Sequence, residues 1–244
     1  GFENVSLALE DLNYEVGMLA GIFFNINAAE TSERMQEIAK DFSTILTKFD
    51  NDLNLDSVLF EKLKIVYEKR NQLDLCDESQ RLLEKQYDEF VRNGALLGPE
   101  EKEKLRGIDE GLSKLSLSFG ENVLNERKTI RLVLREEEVS GIPEGIKESY
   151  LEAAKQEGHE GKYLVNLDYP SYIPFMQYAE SRHLREKLFR ARGSLCFNDS
   201  DTSNIGNILK ITDLRDKRSK ILGYKNHASF VLEKRMAETE SRVN

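Results

Sequence analysis

The chain has 244 residues and a formal net charge of −9, with 32% charged and 39% hydrophobic residues. That length suffices for a substantial buried core in one or two domains. The acidic balance argues against a general nucleic-acid binder, which needs clustered Lys and Arg on one face, and no apolar run nears the roughly 20 residues of a membrane-crossing helix.

Helical periodicity dominates the chain. Residues 2–27 place Val5, Leu9, Leu12, Val16, Leu19, Ile22 and Ile26 at three- and four-residue steps, an apolar stripe about 40 Å long at 1.5 Å per residue. A second helix is expected over residues 32–50, a third over 57–73, and a fourth from Asp77 to the stop at Gly94. Gly98-Pro99-Glu100-Glu101 then sets Pro at the first helical position and acids in the first turn, where the helix dipole favours them. Leu105, Ile108, Leu112, Leu115 and Phe119 follow in heptad spacing. The pattern suits a seam with the preceding, short-linked helix better than a coiled-coil partner surface.

At residue 129 the period changes to two. Residues 129–135 and 162–167 read as strands and are paired as one small ladder, with a helix over 143–156 between them. Residues 169–174, with Pro170 and Pro174, read as a turn leading into helix. A helix over 182–192 ends at Gly193, and residues 198–203 form a polar loop. The next helix buries Ile205, Ile208, Leu209, Ile211, Leu214, Ile221 and Leu222 before Gly223, and a short one spans 224–236. The basic stretch 210–225, interrupted by Asp213 and Asp216, reads as a solvated face. No constant-period repeat and no Pro- or Gly-rich linker divides the chain. The expected architecture is mainly α: one unit, residues 1–244, of antiparallel helix hairpins with a two-stranded β insert.

The chemistry of a catalytic site is missing. Cys76 and Cys196, both in segments that read as helical, are too few for a disulfide scaffold and are expected as free, partly buried thiols in a reducing compartment. His159-Glu160 continues as Gly161-Lys162-Tyr163, so no second His follows one helical turn later to share a metal. His159 reads as a loop residue, His183 as a surface residue of a charged helix, and His227 as a packing residue beside Tyr224. Glu136-Glu137-Glu138 reads as a solvated turn without calcium-loop spacing. The aromatic series Tyr169, Tyr172, Phe175 and Tyr178 suits a peptide-binding wall and a helix core face equally. No catalytic or metal-binding residue is assigned, and substrate-binding residues stay unassigned.

A series of short segments nonetheless runs in a telling order. Residues 2–5 and 21–25 (GIFFN) come first, then 82–85 (LLEK), 90–95 (FVRNGA) and 115–123 (LSLSFGENV). Residues 168–172 (DYPSY), 184–188 (LREKL) and 222–226 (LGYKN) complete it. Each is ordinary helix grammar alone; together, in order, they resemble the zinc peptidases related to thimet oligopeptidase, oligopeptidase A and peptidyl-dipeptidase, the bacterial peptidyl-dipeptidase above all. That resemblance implies two helical domains flanking a deep channel that admits short peptides. Zinc at its floor would be held by the two His of a His-Glu-x-x-His motif and a later Glu. No such motif occurs here, so none of those residues is carried over.

The resemblance implies the N-terminal channel wall of a longer enzyme, inert alone, whose partners are short peptides and the missing catalytic half. Zinc belongs to the intact enzyme and none is expected in this fragment. The break-off after residues 238–242 favours this reading over a stand-alone helical module that binds peptides or proteins without catalysis. A cytoplasmic location is expected, with a periplasmic one left open, and neither nucleic acid nor membrane is a partner. Endopeptidase and dipeptide-releasing activity stay undistinguished, since the residues reading a substrate's C-terminus are expected downstream.

Overall fold

Side chains that accept from freed backbone N–H groups mark where several of the helices begin. A computed structural model describes all residues from 1 to 244 and contains eleven α-helices and one two-stranded sheet. After a π-helical start at Glu3–Leu7 come α1 (Ala8–Ala29), α2 (Glu33–Asn54), α3 (Ser57–Glu68) and α4 (Asp77–Arg92). Ser32 Oγ accepts from Met35 N at 3.2 Å, and Asp56 Oδ1 accepts from Val58 N at 2.7 Å and Leu59 N at 3.0 Å. Pro99 opens α5 (Pro99–Thr129) as expected, with Glu101 accepting from Gly98 N at 3.3 Å. There follow β1 (Leu132–Leu134), α6 (Glu144–Gln156), β2 (Tyr163–Val165), α7 (Tyr169–Tyr178) and α8 (Arg182–Gly193). The chain closes with α9 (Ile205–Ile221), α10 (His227–Leu232) and α11 (Glu240–Val243). No helix is long and apolar enough to cross a membrane.

The mainly α reading with a small β insert is what the structure shows, with local corrections. The strands are antiparallel, Leu132 opposite Val165 and Leu134 opposite Tyr163, but span only three residues each. Thr129 ends α5 instead of starting β1: its hydroxyl donates to Glu126 O at 2.8 Å, and Arg127 and Lys128 suit the last turn. Residues 169–174 are helix rather than turn. Pro170 falls in the first turn, where its missing N–H costs nothing, and Pro174 is held inside α7 by the burial of Tyr172 and Phe175. The last expected helix is shorter, and α11 was not anticipated.

The chain forms two compact units, residues 1–117 with 210–244, and residues 118–209. Both boundaries fall inside helices, α5 and α9, so no linker lies between the units. The core of the first gathers Leu9, Phe60, Leu63, Val66, Leu83, Phe90 and Ala95. Within it α5 packs on α2 and α9: Ser113 meets Ser43 hydroxyl to hydroxyl at 2.7 Å, and Gly111 leaves room for Leu214, whose Cδ1 would stand 3.2 Å from a Cβ there. Of the heptad residues Leu105 is buried, with its Cδ2 beside Gly94 at the end of the preceding helix, and Ile108, Leu112, Leu115 and Phe119 are half-buried. The core of the second unit joins Leu134, Val139, Tyr150, Val165, Phe175 and Leu188 around the β ladder. Two expected stripes are only partly buried. Leu12, Leu19, Ile22 and Ile26 of α1 stand exposed, as do Ile205, Ile208 and Leu209 of α9, while Leu9 and Ile211 are inside.

Candidate functional site

The first helix is drawn in two directions. Near its start, the Gln86 side chain of α4 donates to Ser6 O at 3.0 Å and Glu10 Oε1 at 2.9 Å. Toward its end, Phe23 and Phe24 pack on Phe42 of α2, with ring centres 5.3 and 5.7 Å away. Between these anchors α1, α2 and α4 enclose a cleft of about 570 Å³. Leu9, Val16, Phe49 and Phe90 supply apolar wall; Glu10, Asp50, Glu89 and Asp109 supply carboxylates. Arg218 is the one cation on its lining, and it is bound to Asp109 at 2.7 Å and Asn93 at 3.3 Å. Loss of water around Asp50 raises its carboxyl above the usual range, although the residue as a whole stays exposed.

At the far end of α4, Arg92 joins segments distant in sequence. It donates to Tyr224 Oη at 3.0 Å and Phe230 O at 2.8 Å, pairs with Glu233, and lies over the Phe230 ring. Two segments that carried the family resemblance, 90–95 and 222–226, thus meet in one cluster. Sequence reading did not single out Arg92, Arg218 or Phe230; the only available signal was their presence in or next to those segments.

The residues weighed from sequence fall as follows. His159 and His183 are exposed. His227 is half-buried against Phe230; burial, with Arg215 and Arg218 adding to it, lowers its pKa. No group of three or more His, Cys, Asp and Glu side chains gathers to hold a metal, so the donor set that zinc requires is not met by these residues. Both cysteines are unpaired, but neither lies in a helix. Cys76 is exposed just before α4, and Cys196 is buried in a loop. The acidic run is a short 3₁₀ turn with partners, Glu138 accepting from Arg135 N at 2.9 Å and Glu136 from the Tyr163 hydroxyl. The aromatic series divides: Tyr172 and Phe175 face the core, while Tyr169 and Tyr178 are exposed. Arg192 covers Tyr169 and Tyr172 at 5.1 and 4.3 Å from the ring centres. On the basic stretch, Lys217 and Lys220 pair with Asp213 and Asp216, each at 2.6 Å, and Arg218 pairs with Asp109 at 2.7 Å.

Residues 175–244 match the model of peptidase family M3. Similarity to curated proteins covers nearly the whole chain. A probable cytosolic oligopeptidase A of Arabidopsis thaliana is 30% identical over 95% of this chain and 34% of its own length. An organellar oligopeptidase A, chloroplastic/mitochondrial, of the same plant is 31% identical over 95% of this chain and 30% of its own. A dipeptidyl carboxypeptidase of Escherichia coli (strain K12) is 29% identical over 100% and 36%. The chain thus spans about a third of the length of the curated relatives it matches. By these matches the chain is similar to peptidases of family M3, through the family model over residues 175–244 and through relatives named as peptidases over nearly its whole length.

Proposed function

We propose that this chain is the N-terminal helical, channel-wall part of a longer zinc-dependent peptidase acting on short peptides, without hydrolytic activity by itself. The observation that carries the reading is coverage: 95–100% of the chain aligns with proteins named oligopeptidase A or dipeptidyl carboxypeptidase, yet fills about a third of each. On this reading the zinc ligands and the general base lie in the remaining polypeptide, since these residues gather no donor set of their own. The exposed apolar face of α1 supports it as well. Leu12, Tyr14, Met18, Leu19, Ile22 and Ile26 stand open along one helix, a face of the kind that further chain covers. A cytoplasmic location rests on the two unpaired thiols.

The same open face favours a second reading, a stand-alone module that binds peptides or proteins without cutting them. A quenched fluorescent peptide separates the two. A family-length polypeptide containing this sequence should cleave it and lose that activity to a chelator, while residues 1–244 alone leave it intact. Chelator-sensitive cleavage by the 244-residue chain, or none by the longer one, would overturn the proposal.

A further inference from the structure

Two guanidinium groups from different helices lie over the ring of Phe230 in α10. Arg92 of α4 is 4.6 Å from its centre and Arg218 of α9 is 5.2 Å from it. His227, the first residue of α10, stacks on the same ring with centres 6.3 Å apart. Its Nδ1 is enclosed and has no hydrogen-bond partner. A neutral imidazole tolerates that place by carrying its single proton on Nε2 and leaving Nδ1 bare. A second proton would make Nδ1 an enclosed donor without an acceptor, and would set a positive charge among Arg215 and Arg218. The carboxylates around the cluster are engaged elsewhere. Asp109 of α5 holds Arg218 at 2.7 Å, and Glu233 pairs with Arg92 and accepts from the Tyr224 hydroxyl at 2.7 Å. Glu240 of α11 accepts from Ser229 Oγ at 2.7 Å and lies 4.0 Å from Lys225, and Asp88 of α4 pairs with Lys234 at 2.6 Å.

We infer that His227 makes the fastening of α10 onto α4 and α9 dependent on pH: when the imidazole takes a second proton, residues 224–236 loosen and bare the Phe230 ring and the Arg92 head. Histidine is the residue type in this cluster that ordinarily changes charge between about pH 5 and 8. Burial, with Arg215 and Arg218 adding to it, lowers the pKa of the docked imidazole from its ordinary value of 6.5, in agreement with the geometry. The docked segment is therefore fully stabilised above pH 6.5, and it loses that stability as pH falls through the lowered value. The effect is local, because the contacts at stake belong to one short helix and not to the core around Leu63 and Leu83.

The test is amide hydrogen exchange of the 244-residue chain at pH 7.5 and pH 5.5, with each rate divided by the intrinsic rate at that pH. Protection in α10 should fall about threefold or more at the lower pH, while that of α3 holds. His227→Gln cannot take the proton, so its α10 protection should not change with pH. The ring protons of His227, followed by NMR, should titrate below pH 6.5. Protection in α10 that does not respond to pH, or that falls in step with α3, would overturn the proposal. So would a response of the same size in His227→Gln, or a ring titrating at or above 6.5. Protection of α3 in the variant reports whether it keeps its fold, and the NMR titration of the parent stands if it does not.

Discussion

The guanidinium carbon of Arg92 lies 4.6 Å from the centre of the Phe230 ring while Nη2 of the same group donates to the Phe230 backbone carbonyl at 2.8 Å. One side chain thereby holds a loop-and-helix segment 138 residues further along. A planar, multidentate donor is required, because Tyr224 and Glu233 are engaged as well. Arg92→Lys is therefore expected to cost about 2–3 kcal/mol, close to Arg92→Ala, since a point charge cannot replace the fork. Urea unfolding measures this. A lysine variant as stable as the parent would show that charge alone suffices.

Gly141 takes a positive φ of 84°, and a Cβ placed there would sit 2.3 Å from the backbone oxygen of Tyr178. Both the left-handed conformation and the close backbone oppose a side chain. Gly141→Ala should destabilise the second unit by about 2–3 kcal/mol. Gly21→Ala is the control: nothing lies within 4 Å of its Cβ position inside α1, so the change should gain about 0.5–1 kcal/mol from helix propensity. Equal effects at the two sites would contradict the geometry.

Glu126 clasps the loop after α8. It accepts from Cys196 N at 2.8 Å, Asn198 Nδ2 at 2.8 Å and Thr202 Oγ1 at 3.0 Å. Burial alone would push the carboxyl up, but these donors together outweigh it and hold the group below its ordinary value of 4.5. A carboxyl depressed in the folded state adds stability above its ordinary value and loses it as pH falls through the depressed one. The parent should thus exceed Glu126→Gln by about 1–2 kcal/mol at pH 7. That gap should close as the pH drops below about 4. Urea midpoints at pH 7 and pH 3 measure it, and a gap independent of pH would refute the account.

The two thiols should differ sharply in reactivity. Hydrogen bonding with Ser79 holds the exposed Cys76 below its ordinary value, and the start of α4 favours the thiolate further. Burial, and then Glu126, push Cys196 up to about 11. Iodoacetamide at pH 8 should label Cys76 within minutes and reach Cys196 only after denaturation, as mass spectrometry of the labelled peptides would reveal. Comparable labelling of both in the native protein would mean that the loop around Cys196 opens freely.

Much of the helical architecture was legible residue by residue. Ser32, Asp56 and Pro99 declare helix starts through local chemistry, and the periodic apolar positions of α2 to α5 need no distant partner to be recognised. Local patterning failed where a neighbour in space decides the outcome. Residues 129–131 alternate like a strand but lack a partner opposite, so the ladder begins only at Leu132, where Val165 faces it. Pro170 and Pro174 read as turn signals, yet the burial of Phe175 makes a helix the cheaper conformation.

The site divides in the same way. The ordered motif series made the family legible, because such motifs are short, contiguous and read along the chain. The absence of any His-Glu-x-x-His spacing was legible for the same reason. The cleft was not. Glu10, Asp50 and Gln86 come from three helices and carry no spacing signal, and their meeting depends on α1 being pulled to α4 at one end and to α2 at the other. Secondary structure follows from bonds and side chains within a few residues, so sequence determines it almost directly. Which faces stay open, which carboxylates stay unpaired and which arginine reaches Phe230 depend on packing between remote segments, and only the tertiary structure decided them.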